Sequence, residues 1–398
     1  MSHVLAFTLR MTGHLFPFVP ILTELARRGH SVTLALAGDG AQPFLDGIQT
    51  VNVPWPVPEQ RTDGAPAPRL APFPPVDVFA QFGEMLAVGL HRVIARDRPS
   101  FVLLDPMLWG GMIACEASRT PWGTVAHNPL CFRGLGPDAR GPALPPPTSW
   151  SAELRHRVVD AAMRLETRDH LAAVNLIRRT WRLAPLSQLS ELLTRPPLIL
   201  ATTAEPFEYP RTDWPSTLRF VGPMIWDPPE TRRASFDATD PRSLVLVTDS
   251  TATANAPSRG WTDKVLTALS EEPYHVVATV PADGAGTSER APLAHSTLLP
   301  FTACVVCHGG PGIVHKALWF GVPVVCVPFA YDRYEVARRV ETSGAGVTLP
   351  IERLTHAEIT RAIRRAIALE RGAQAIGHCF RSAGGPSAAA DAIEQHME

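Results

Sequence analysis

The amino-acid sequence predicts an α/β protein with two domains, each built on a doubly wound parallel sheet. Short apolar segments of strand length alternate with segments of helical periodicity along most of the chain, a pattern typical of parallel α/β architecture. The 398 residues exceed what one compact core usually holds. Between about 206 and 242 the alternation gives way to a stretch rich in Pro, Trp, Asp and Arg, as expected of an interdomain linker. We therefore expect two sheets that face each other across a cleft.

The N-terminal elements begin with a buried apolar strand at 3–9, which ends before a turn that contains Gly13 and His14. A helix is predicted over 17–28, because its apolar residues share one face and Gly29 follows as a stop signal. The further strands predicted in this half of the chain are 31–37, 101–104, 124–126 and 198–202.

After the linker the same alternation resumes. The strands predicted here are 244–248, 275–280, 303–307 and 323–327, with helices between them and an amphipathic stretch near 355–370. From these segments we predict an N-terminal domain at 1–212, a linker at 213–242, a second domain at 243–375 and a C-terminal helix at 376–398. That helix is expected to pack back on the first domain. Ligands of such sheets bind at the carboxyl ends of the strands.

Composition and charge exclude several classes of partner. The chain is 45% hydrophobic and 19% charged, its formal net charge is −1, and it has no Lys/Arg-rich block, so neither nucleic acid nor an anionic membrane is an expected partner. No uncharged apolar run approaches the ~20 residues of a membrane span, and no targeting signal is visible. The 6 Cys are scattered, which argues against a disulfide framework. We expect a cytoplasmic protein that is a monomer or a homodimer.

The most informative segment is 303–328, ACVVCHGGPGIVHKALWFGVPVVCVP, in which a glycine turn follows a buried strand and opens a helix. Gly309, Gly310 and Gly312 let backbone N–H groups approach an anion, and the helix dipole favours negative charge there. His308, at the tip of the strand, can donate a hydrogen bond to a phosphate oxygen. On geometry alone, an ordinary turn with a solvated histidine is an equal alternative.

Three other motifs are excluded in this chain. Cys304-x-x-Cys307-His308 matches the c-type haem pattern, but residues i and i+3 of a strand point to opposite faces. A Walker-type phosphate loop needs Gly-Lys followed by Ser or Thr, whereas His315 precedes Lys316 here. The dinucleotide fingerprint GxGxxG is absent after the first strand, where the turn reads RMTGHLFP. Phosphate binding at the helix N-terminus and an ordinary turn with a solvated histidine are the two interpretations that remain.

The segment HGGPGIVHKALWFGVPVVCVPFAYDRYEVARRVETSGAGVTL resembles the donor-binding signature of family-one glycosyltransferases of the GT-B fold. GHLFPFVPILTELARRGHSVTLA resembles the opening helix of that family, and FVGP at 220–223 resembles the start of its linker. The likeness is strongest to bacterial enzymes that decorate macrolides, aromatic polyketides and enediynes. It implies two Rossmann-like domains, the first for an acceptor and the second for a nucleotide sugar. It also implies a hexosyltransferase with no cofactor besides its nucleotide diphosphate sugar co-substrate.

The resemblance places a general base at His14 and its carboxylate partner at Asp105, in the segment LLDPMLWGGMIACEASRTPWG. A neutral imidazole can take the proton of an alcohol as that alcohol attacks an anomeric carbon. A carboxylate on the other ring nitrogen would fix the tautomer and stabilise the imidazolium. Both residues follow predicted strands, so both would project from the carboxyl edge of one sheet. Without the resemblance, an exposed turn histidine and a capping aspartate are the simpler interpretations.

The resemblance also implies the donor contacts. The glycine turn and the hydroxyls of Ser250 and Thr251 would bind the diphosphate, although helix capping is an equal alternative for these two residues. Asp332 and Arg333 would bind the sugar. The chain has no Asp-x-Asp motif of the kind that often holds Mn or Mg on the diphosphate. Direct displacement by an activated alcohol inverts the anomeric centre, so we expect an inverting reaction that needs no metal.

Four positions depart from the family pattern. Ile313 replaces a Ser or Thr, and Lys316 replaces a Glu that accepts from both ribose hydroxyls in many UDP-sugar enzymes. The loss of that acceptor matters less for 2′-deoxyribose, which favours a dTDP-sugar over a UDP-sugar. Arg333 replaces the Gln of an Asp-Gln pair that binds hexose hydroxyls, and a donor-only guanidinium suits a deoxygenated hexose. The stretch SERAPLAHSTLLP lacks the Trp-x-Pro-Gln whose ring stacks on the nucleobase.

An apolar small-molecule acceptor is expected from the long loops at 54–82 and 127–150, which are rich in Pro, Phe and Trp. The residues predicted to contact it are Phe73, Phe79, Phe132 and Trp150. Core packing is nevertheless the commoner role of aromatic residues. The sequence thus predicts an enzyme that moves a (deoxy)hexose to a hydroxyl of such a compound. Two alternatives stay open, a non-catalytic transferase-like protein that supports a partner enzyme and a sugar-nucleotide epimerase of the same fold.

Overall fold

The computed structural model of the chain contains two parallel β-sheets with helices on their faces. It describes residues 2–38, 45–53, 76–130, 143–144, 147–229, 243–249, 260–279, 293–329 and 332–397. Four predicted contact residues lie outside the described residues: Phe73, Phe132, Ser250 and Thr251.

The first sheet has seven described strands in the order β3-β2-β1-β4-β5-β6-β7, and all neighbours are parallel. These strands are β1 His3–Leu9, β2 Ser31–Ala37, β3 Ile48–Val53, β4 Phe101–Leu104, β5 Trp122–Ala126, β6 Ile199–Ala201 and β7 Leu218–Phe220. Alternate residues of β1 enter different apolar cores, Val4 and Ala6 one of them and Leu5 and Phe7 the other. The strand order reverses between β1 and β4, and ligands of such sheets bind at this switch point.

The helices of the first domain cover both faces of its sheet. They are α1 Thr12–Leu15, α2 Phe18–Arg27, α3 Val76–Asp97, α4 Trp109–Ser118, α5 Trp150–Glu166, α6 Arg168–Thr180 and α7 Glu191–Thr194. Among the described helices, α3 alone is long and apolar enough to cross a membrane by length and composition. Its side chains Phe79, Leu86 and Leu90 are buried in the core that it shares with α4, as in the core helix of a globular domain.

The second sheet has five described strands in the order β12-β11-β10-β8-β9, again all parallel. They are β8 Ser243–Thr248, β9 Tyr274–Thr279, β10 Thr302–Cys307, β11 Val324–Cys326 and β12 Gly346–Thr348. The helices that follow in the chain are α8 Trp261–Ser270, α9 His295–Leu298, α10 Pro311–Trp319, α11 Arg333–Thr342, α12 His356–Ile367, α13 Glu370–Ser382 and α14 Gly385–Gln395. The switch point of this sheet lies between β8 and β10.

Three described strands were not predicted from the sequence, and all three are edge strands. β3 and β7 are the two edges of the first sheet, and β12 is an edge of the second. β7 and β12 are only 3 residues long. In β3 about every third side chain is exposed, so none of these strands has an apolar run long enough to predict a strand from the sequence. Because β7 pairs with β6, the first sheet extends into the segment that the sequence analysis assigns to a linker beginning at 213.

The last helix of the chain lies on the first domain. Ala390 and Ile393 of α14 enter the same apolar core as α2. Arg28, which follows α2, donates to Asp391 at 2.6 Å and to Glu394 at 2.7 Å. The preceding helix, α13, packs instead against α10 of the second domain.

Phe207 reaches from the first domain into the core of the second. It lies in the turn that follows β6 and is buried among residues of α10 and α13. Its ring makes edge-to-face contacts with His315 at 5.3 Å and with Phe380 at 5.5 Å between centroids. This contact fixes α10 against the first domain.

The packing of α3 on α4 depends on a glycine and is testable with a matched pair of substitutions. A Cβ at Gly83 would overlap the indole ring of Trp109, whereas a Cβ at Gly89 in the same helix would meet nothing within 4 Å. We expect Gly83→Ala to lower the free energy of unfolding by about 1–3 kcal/mol through overpacking. Gly89→Ala should raise it by about 0.5–1 kcal/mol through helix propensity. Urea unfolding followed by circular dichroism measures both, and equal effects would contradict this packing.

Candidate active site

His14 and Asp105 meet at the switch point of the first sheet. His14 lies in α1, shortly after β1, and Asp105 directly follows β4. β1 and β4 are parallel neighbours with Phe7 beside Leu104, so both residues emerge at the same edge. Nδ1 of His14 lies 2.8 Å from Oδ2 of Asp105. The structure thus brings together the two residues that the resemblance assigns to base and partner.

The carboxylate of Asp105 is fully buried, and both of its oxygens accept hydrogen bonds. Thr8 Oγ1 donates to Oδ2 at 3.1 Å, and the backbone N–H of Met107 donates to Oδ1 at 2.9 Å. Burial on its own raises the pKa of this acid. The positive charges of His14 and His127 and the hydrogen bonds from His14 and Met107 outweigh burial and lower the pKa of Asp105 to about 2. The group is therefore ionised at physiological pH.

His127 is a third member of this cluster, and the sequence analysis missed it. Its Nε2 lies 3.1 Å from Nδ1 of His14, with the two rings nearly perpendicular. Its Nδ1 lies 3.1 Å from the backbone carbonyl oxygen of Val125. A signal was available, because His127 directly follows β5, the neighbour of β4, and so reaches the same sheet edge as Asp105.

The hydrogen-bond partners determine where the protons lie. A carbonyl only accepts, so neutral His127 carries its proton on Nδ1 and turns the lone pair of Nε2 towards His14. The carboxylate of Asp105 also only accepts, so Nδ1 of His14 is the donor nitrogen and Nε2 is the nitrogen that can accept a proton. Burial, together with the charge of His14, lowers the pKa of His127 to about 4. This ring is therefore neutral at physiological pH.

The same cluster contains a possible set of metal ligands. The ligand atoms of His14, Asp105 and His127 all lie within 4.8 Å of one another. Their separations of 2.8 and 3.1 Å are those of hydrogen bonds, and a metal on Nδ1 of His14 would displace the proton that this nitrogen holds. The arrangement fits a proton-transfer network better than a metal centre.

The glycine turn lies at the switch point of the second sheet. β10 ends at Cys307 and α10 begins at Pro311, so His308, Gly309 and Gly310 form the turn. Gly309 has a φ of 83°, in the left-handed region that favours glycine. A Cβ at Gly310 would overlap Nε2 of His308. The backbone path and the position of the histidine ring therefore both require glycine here.

The N-terminus of α10 presents backbone donors to open space. Pro311 has no N–H, and the N–H of Val314 donates to the carbonyl of Gly310 at 3.2 Å. The N–H groups of Gly312 and Ile313 have no acceptor within the helix, as in the first turn of any α-helix. A Cβ at Gly312 would meet nothing within 4 Å. These donors and the helix dipole, with space beside Gly312 as far as the described residues show, together suit a phosphate group.

The ring of His308 lies beside these amides. The residue is only 9% exposed, and its Nδ1 is buried with no hydrogen-bond partner among the described residues. Burial and the positive charge of Arg333 lower the pKa of His308 to about 3, so the ring is neutral. The backbone of Thr248, at the end of the neighbouring strand β8, is within reach of this ring and partly offsets the fall in its pKa.

Contacts of Trp226 connect the segment that follows His14 with the helix of the glycine turn. Phe16, close to His14 in sequence, packs edge to face on Trp226 with 4.8 Å between ring centroids. The carbonyl of Trp226 accepts a hydrogen bond from Nζ of Lys316 in α10 at 2.7 Å. Phe16 of the first domain and Lys316 of α10 thus both contact Trp226, in the segment that connects the two sheets.

Comparison with known proteins identifies the family. Residues 261–379 match the family described as erythromycin biosynthesis protein CIII-like, C-terminal domain. The 4′-demethylrebeccamycin synthase of Lentzea aerocolonigenes is 30% identical over 391 residues, covering 92% of this chain and 92% of that protein. The demethyllactenocin mycarosyltransferase of Streptomyces fradiae is 25% identical over 429 residues, covering 99% of this chain and 86% of that protein. The chain belongs to this family of natural-product glycosyltransferases.

A solved structure with the same fold supports the architecture of this glycosyltransferase. The glycosyltransferase VinC in complex with dTDP matches with a TM-score of 0.69 at 19% identity, covering 99% of each chain. The likeness and the two parallel sheets confirm the predicted fold class, a GT-B fold of two Rossmann-like domains.

The two residues predicted to bind the sugar adjoin the glycine turn of the glycosyltransferase. Asp332 is the N-cap residue of α11, and Arg333 is the first residue of that helix. The buried guanidinium of Arg333 stacks on the ring of Phe329 at 4.2 Å. A Cβ at Gly309 would lie 3.2 Å from the backbone oxygen of Arg333, so the turn and the start of α11 are in close contact.

The two described acceptor candidates occupy different environments. Phe79 is 5% exposed and stacks on Trp109 with 4.7 Å between ring centroids. A ring packed in the core in this way offers no surface to a ligand, so the expected acceptor contact at Phe79 does not fit the structure. Trp150, at the start of α5, is 79% exposed.

Buried neutral histidines make the stability of this glycosyltransferase sensitive to acid. Burial lowers the pKa of His127 and His295 to about 4. It lowers the pKa of His308 and His315 to about 3. In the unfolded chain their pKa is near 6.5. Below about pH 6.5 the unfolded state therefore binds more protons, and the free energy of unfolding falls as the pH falls towards 4.

Urea unfolding at pH 7.5 and 5.5 tests this linkage. We expect each of these residues to contribute a loss on the order of 1 kcal/mol at pH 5.5. His315→Gln should remove one such contribution and flatten the pH dependence, whereas His378→Gln at an exposed position of α13 should not. An unchanged pH dependence in His315→Gln would show that this ring is not held neutral in the folded state.

Proposed function

We propose that this glycosyltransferase moves a (deoxy)hexose from a nucleotide diphosphate sugar, dTDP-linked rather than UDP-linked, to a hydroxyl of an apolar small molecule. The reaction inverts the anomeric centre and needs no metal ion or other cofactor. The observation that carries the proposal is the 2.8 Å contact between Nδ1 of His14 and the buried carboxylate of Asp105, at the switch point of the first sheet.

In this mechanism His14 activates the acceptor. Its Nε2 takes the hydroxyl proton while the acceptor oxygen attacks the anomeric carbon. Asp105 remains ionised and stabilises the imidazolium that forms, and the lone pair of His127 faces the same Nδ1–H. A preorganised pair of this kind supplies charge stabilisation in a buried site without reorganisation during the reaction.

The glycine turn serves the leaving group. As the bond from the anomeric carbon to the diphosphate oxygen breaks, negative charge develops on the diphosphate. The N–H groups of Gly312 and Ile313 and the ring of His308 are the donors that would meet this charge, with Ser250 and Thr251 as further predicted contacts. Because the acceptor replaces the diphosphate in one displacement, attack comes from the opposite face and the configuration inverts.

The environment of Lys316 supports a dTDP-linked donor. Its Nζ donates to the carbonyl of Trp226 at 2.7 Å and to Oδ1 of Asp227 at 2.6 Å, and the side chain is buried. An ammonium in this ion pair cannot accept hydrogen bonds from ribose hydroxyls, so the position gives a UDP-sugar no advantage. The related structure of VinC was obtained with dTDP.

Family membership and the buried pair of His14 and Asp105 favour catalysis over the two alternatives. A non-catalytic supporting protein has no use for a buried imidazole–carboxylate pair at a switch point, and epimerase chemistry requires carboxylates around the sugar. The cytoplasmic location and the monomeric or homodimeric state stay predictions.

Substitution of the base pair tests the mechanism. In an assay with EDTA, dTDP- and UDP-sugars and phenolic acceptors, we expect product from the unaltered protein. His14→Ala and Asp105→Asn should each lower kcat by about 10²–10⁴-fold, because general-base catalysis contributes that much. His378→Ala, on an exposed face of α13, is the matched control. Product formation that depends on added metal, or that survives His14→Ala, would refute the mechanism.

Competition between nucleotides tests the donor. We expect dTDP to inhibit the reaction with a lower inhibition constant than UDP, because no acceptor for the ribose 2′-hydroxyl is present at Lys316. Isothermal titration of both diphosphates onto the protein gives an independent measure. Tighter binding of UDP would refute the assignment of a dTDP-sugar while leaving the base pair untouched.

A further inference from the structure

A buried arginine of the second domain bridges two carboxylates, and each carboxylate also accepts a hydrogen bond from a backbone amide of the first domain. Arg339 of α11 is 2% exposed. Its Nε donates to Oε2 of Glu208 at 2.9 Å, and its Nη1 donates to Oε2 of Glu335 at 2.8 Å. Glu208 belongs to the turn after β6 in the first domain, whereas Glu335 lies one turn before Arg339 in α11. The guanidinium also covers the ring of Tyr209 at 4.5 Å.

The second oxygen of each carboxylate accepts from a backbone amide of the first domain. Oε1 of Glu208 accepts from the N–H of Leu130 at 3.3 Å, and Oε1 of Glu335 accepts from the N–H of Ala143 at 2.7 Å. The carbonyl of Ala143 accepts in turn from Nε of Arg338 at 3.2 Å. One cation therefore holds residues 130 and 143, through two carboxylates, against the same helix.

This arrangement has a cost that an apolar contact would avoid. Removing a guanidinium and two carboxylates from water carries a desolvation penalty, and the attraction between them offsets this penalty only when the geometry is good and the remaining lone pairs are satisfied. Here both carboxylates use both oxygens, and each bond has a fixed direction. Apolar packing would attach α11 to the first domain without specifying the position of two particular amides. The charged network therefore points to a need for position rather than for stability.

We propose that Arg339 is a positioning residue that couples the acceptor side of the enzyme to the donor helix α11. The terms acceptor side and donor helix rest on the proposed function. α11 begins at Arg333, beside the glycine turn. Leu130 lies three residues beyond His127 of the base cluster, and Ala143 lies between that cluster and α5 in the chain. Arg339 thus sets the affinity for the acceptor through Leu130 and Ala143, whereas the nucleotide would bind at the N-terminus of α10.

The test requires a variant that folds. Arg339→Met alone would leave two buried carboxylates without a cation, a change that is strongly destabilising. The triple variant Glu208→Leu/Glu335→Leu/Arg339→Met replaces all three charges by apolar groups of similar size. Glu208→Gln/Glu335→Gln/Arg339→Met keeps an acceptor oxygen for each amide and is the conservative counterpart. Glu358→Gln/Arg361→Met, an exposed pair of α12, is the control.

Two measurements separate positioning from general stability. Hydrogen exchange of peptides that contain Leu130 or Ala143 should be at least about tenfold faster in the Leu-containing triple variant and partly restored in the Gln-containing one, since a buried amide without an acceptor loses its protection. With 7-hydroxy-4-methylcoumarin as the phenolic probe, its KM should rise by about tenfold or more while kcat changes less. The dissociation constant of dTDP should stay within about twofold.

Three results would overturn the proposal. They are unchanged exchange at both amides, an unchanged KM for the probe in a folded variant, and an equal loss of affinity for probe and dTDP, which would indicate a merely structural role. If the unaltered protein does not glycosylate the coumarin from any nucleotide sugar, the proposed function fails for this acceptor. The exchange measurement still decides whether Arg339 holds the two amides.

Discussion

The parallel pairing of β1 with β4 is the constraint on which the rest of the site depends. Because these neighbouring strands have the same direction and the order of the sheet reverses between them, the chain leaves both at one edge with room between the connections. His14 and Asp105 occupy these two exits, and His127 occupies the exit of β5 beside them. The second sheet has the same arrangement, because the glycine turn follows β10 at the point where the strand order of that sheet reverses. In the proposed function, the groups for chemistry and for binding are therefore positioned by central strands of the two sheets.

Burial gives these groups their protonation states. Full burial on its own raises the pKa of Asp105, but the neighbouring imidazoles of His14 and His127 and the hydrogen bonds from His14 and the Met107 amide lower it to about 2, so the carboxylate is ionised at neutral pH. In contrast, burial beside a cation keeps His308 neutral, with a pKa of about 3. The first sheet therefore holds an ionised carboxylate next to His14, and the glycine turn of the second sheet holds neutral donors. In the proposed reaction, the carboxylate would stabilise the imidazolium that forms at His14. The neutral donors would stabilise the negative charge that develops on the diphosphate leaving group.

Much of this arrangement was predictable from local sequence, and the rest depends on contacts between distant residues. Buried central strands give long apolar runs, and the glycine turn gives a motif, so the fold class and the positions of His14, Asp105 and His308 could be proposed from the chain alone. His127 carries no motif, because its role arises only when β5 is placed beside β4. Phe79 was predicted to contact the acceptor, but its ring is packed in the core. An aromatic residue near a loop has the same sequence pattern whether its ring faces a ligand or the core. The bond between Glu208 and Arg339 joins residues 131 positions apart and has no local pattern.

The two cations that depart from the family pattern have different electrostatic consequences. Lys316 is neutralised within the protein, because Asp227 lies 2.6 Å from its Nζ and lowers the charge that α10 presents to the cleft. The guanidinium of Arg333 stacks on Phe329, and its positive charge contributes to the low pKa of His308 at the glycine turn. A field that disfavours a second positive charge at that ring favours an anion at the same place. The guanidinium therefore supplies part of the positive potential that a diphosphate needs, in a site where the other donors are neutral.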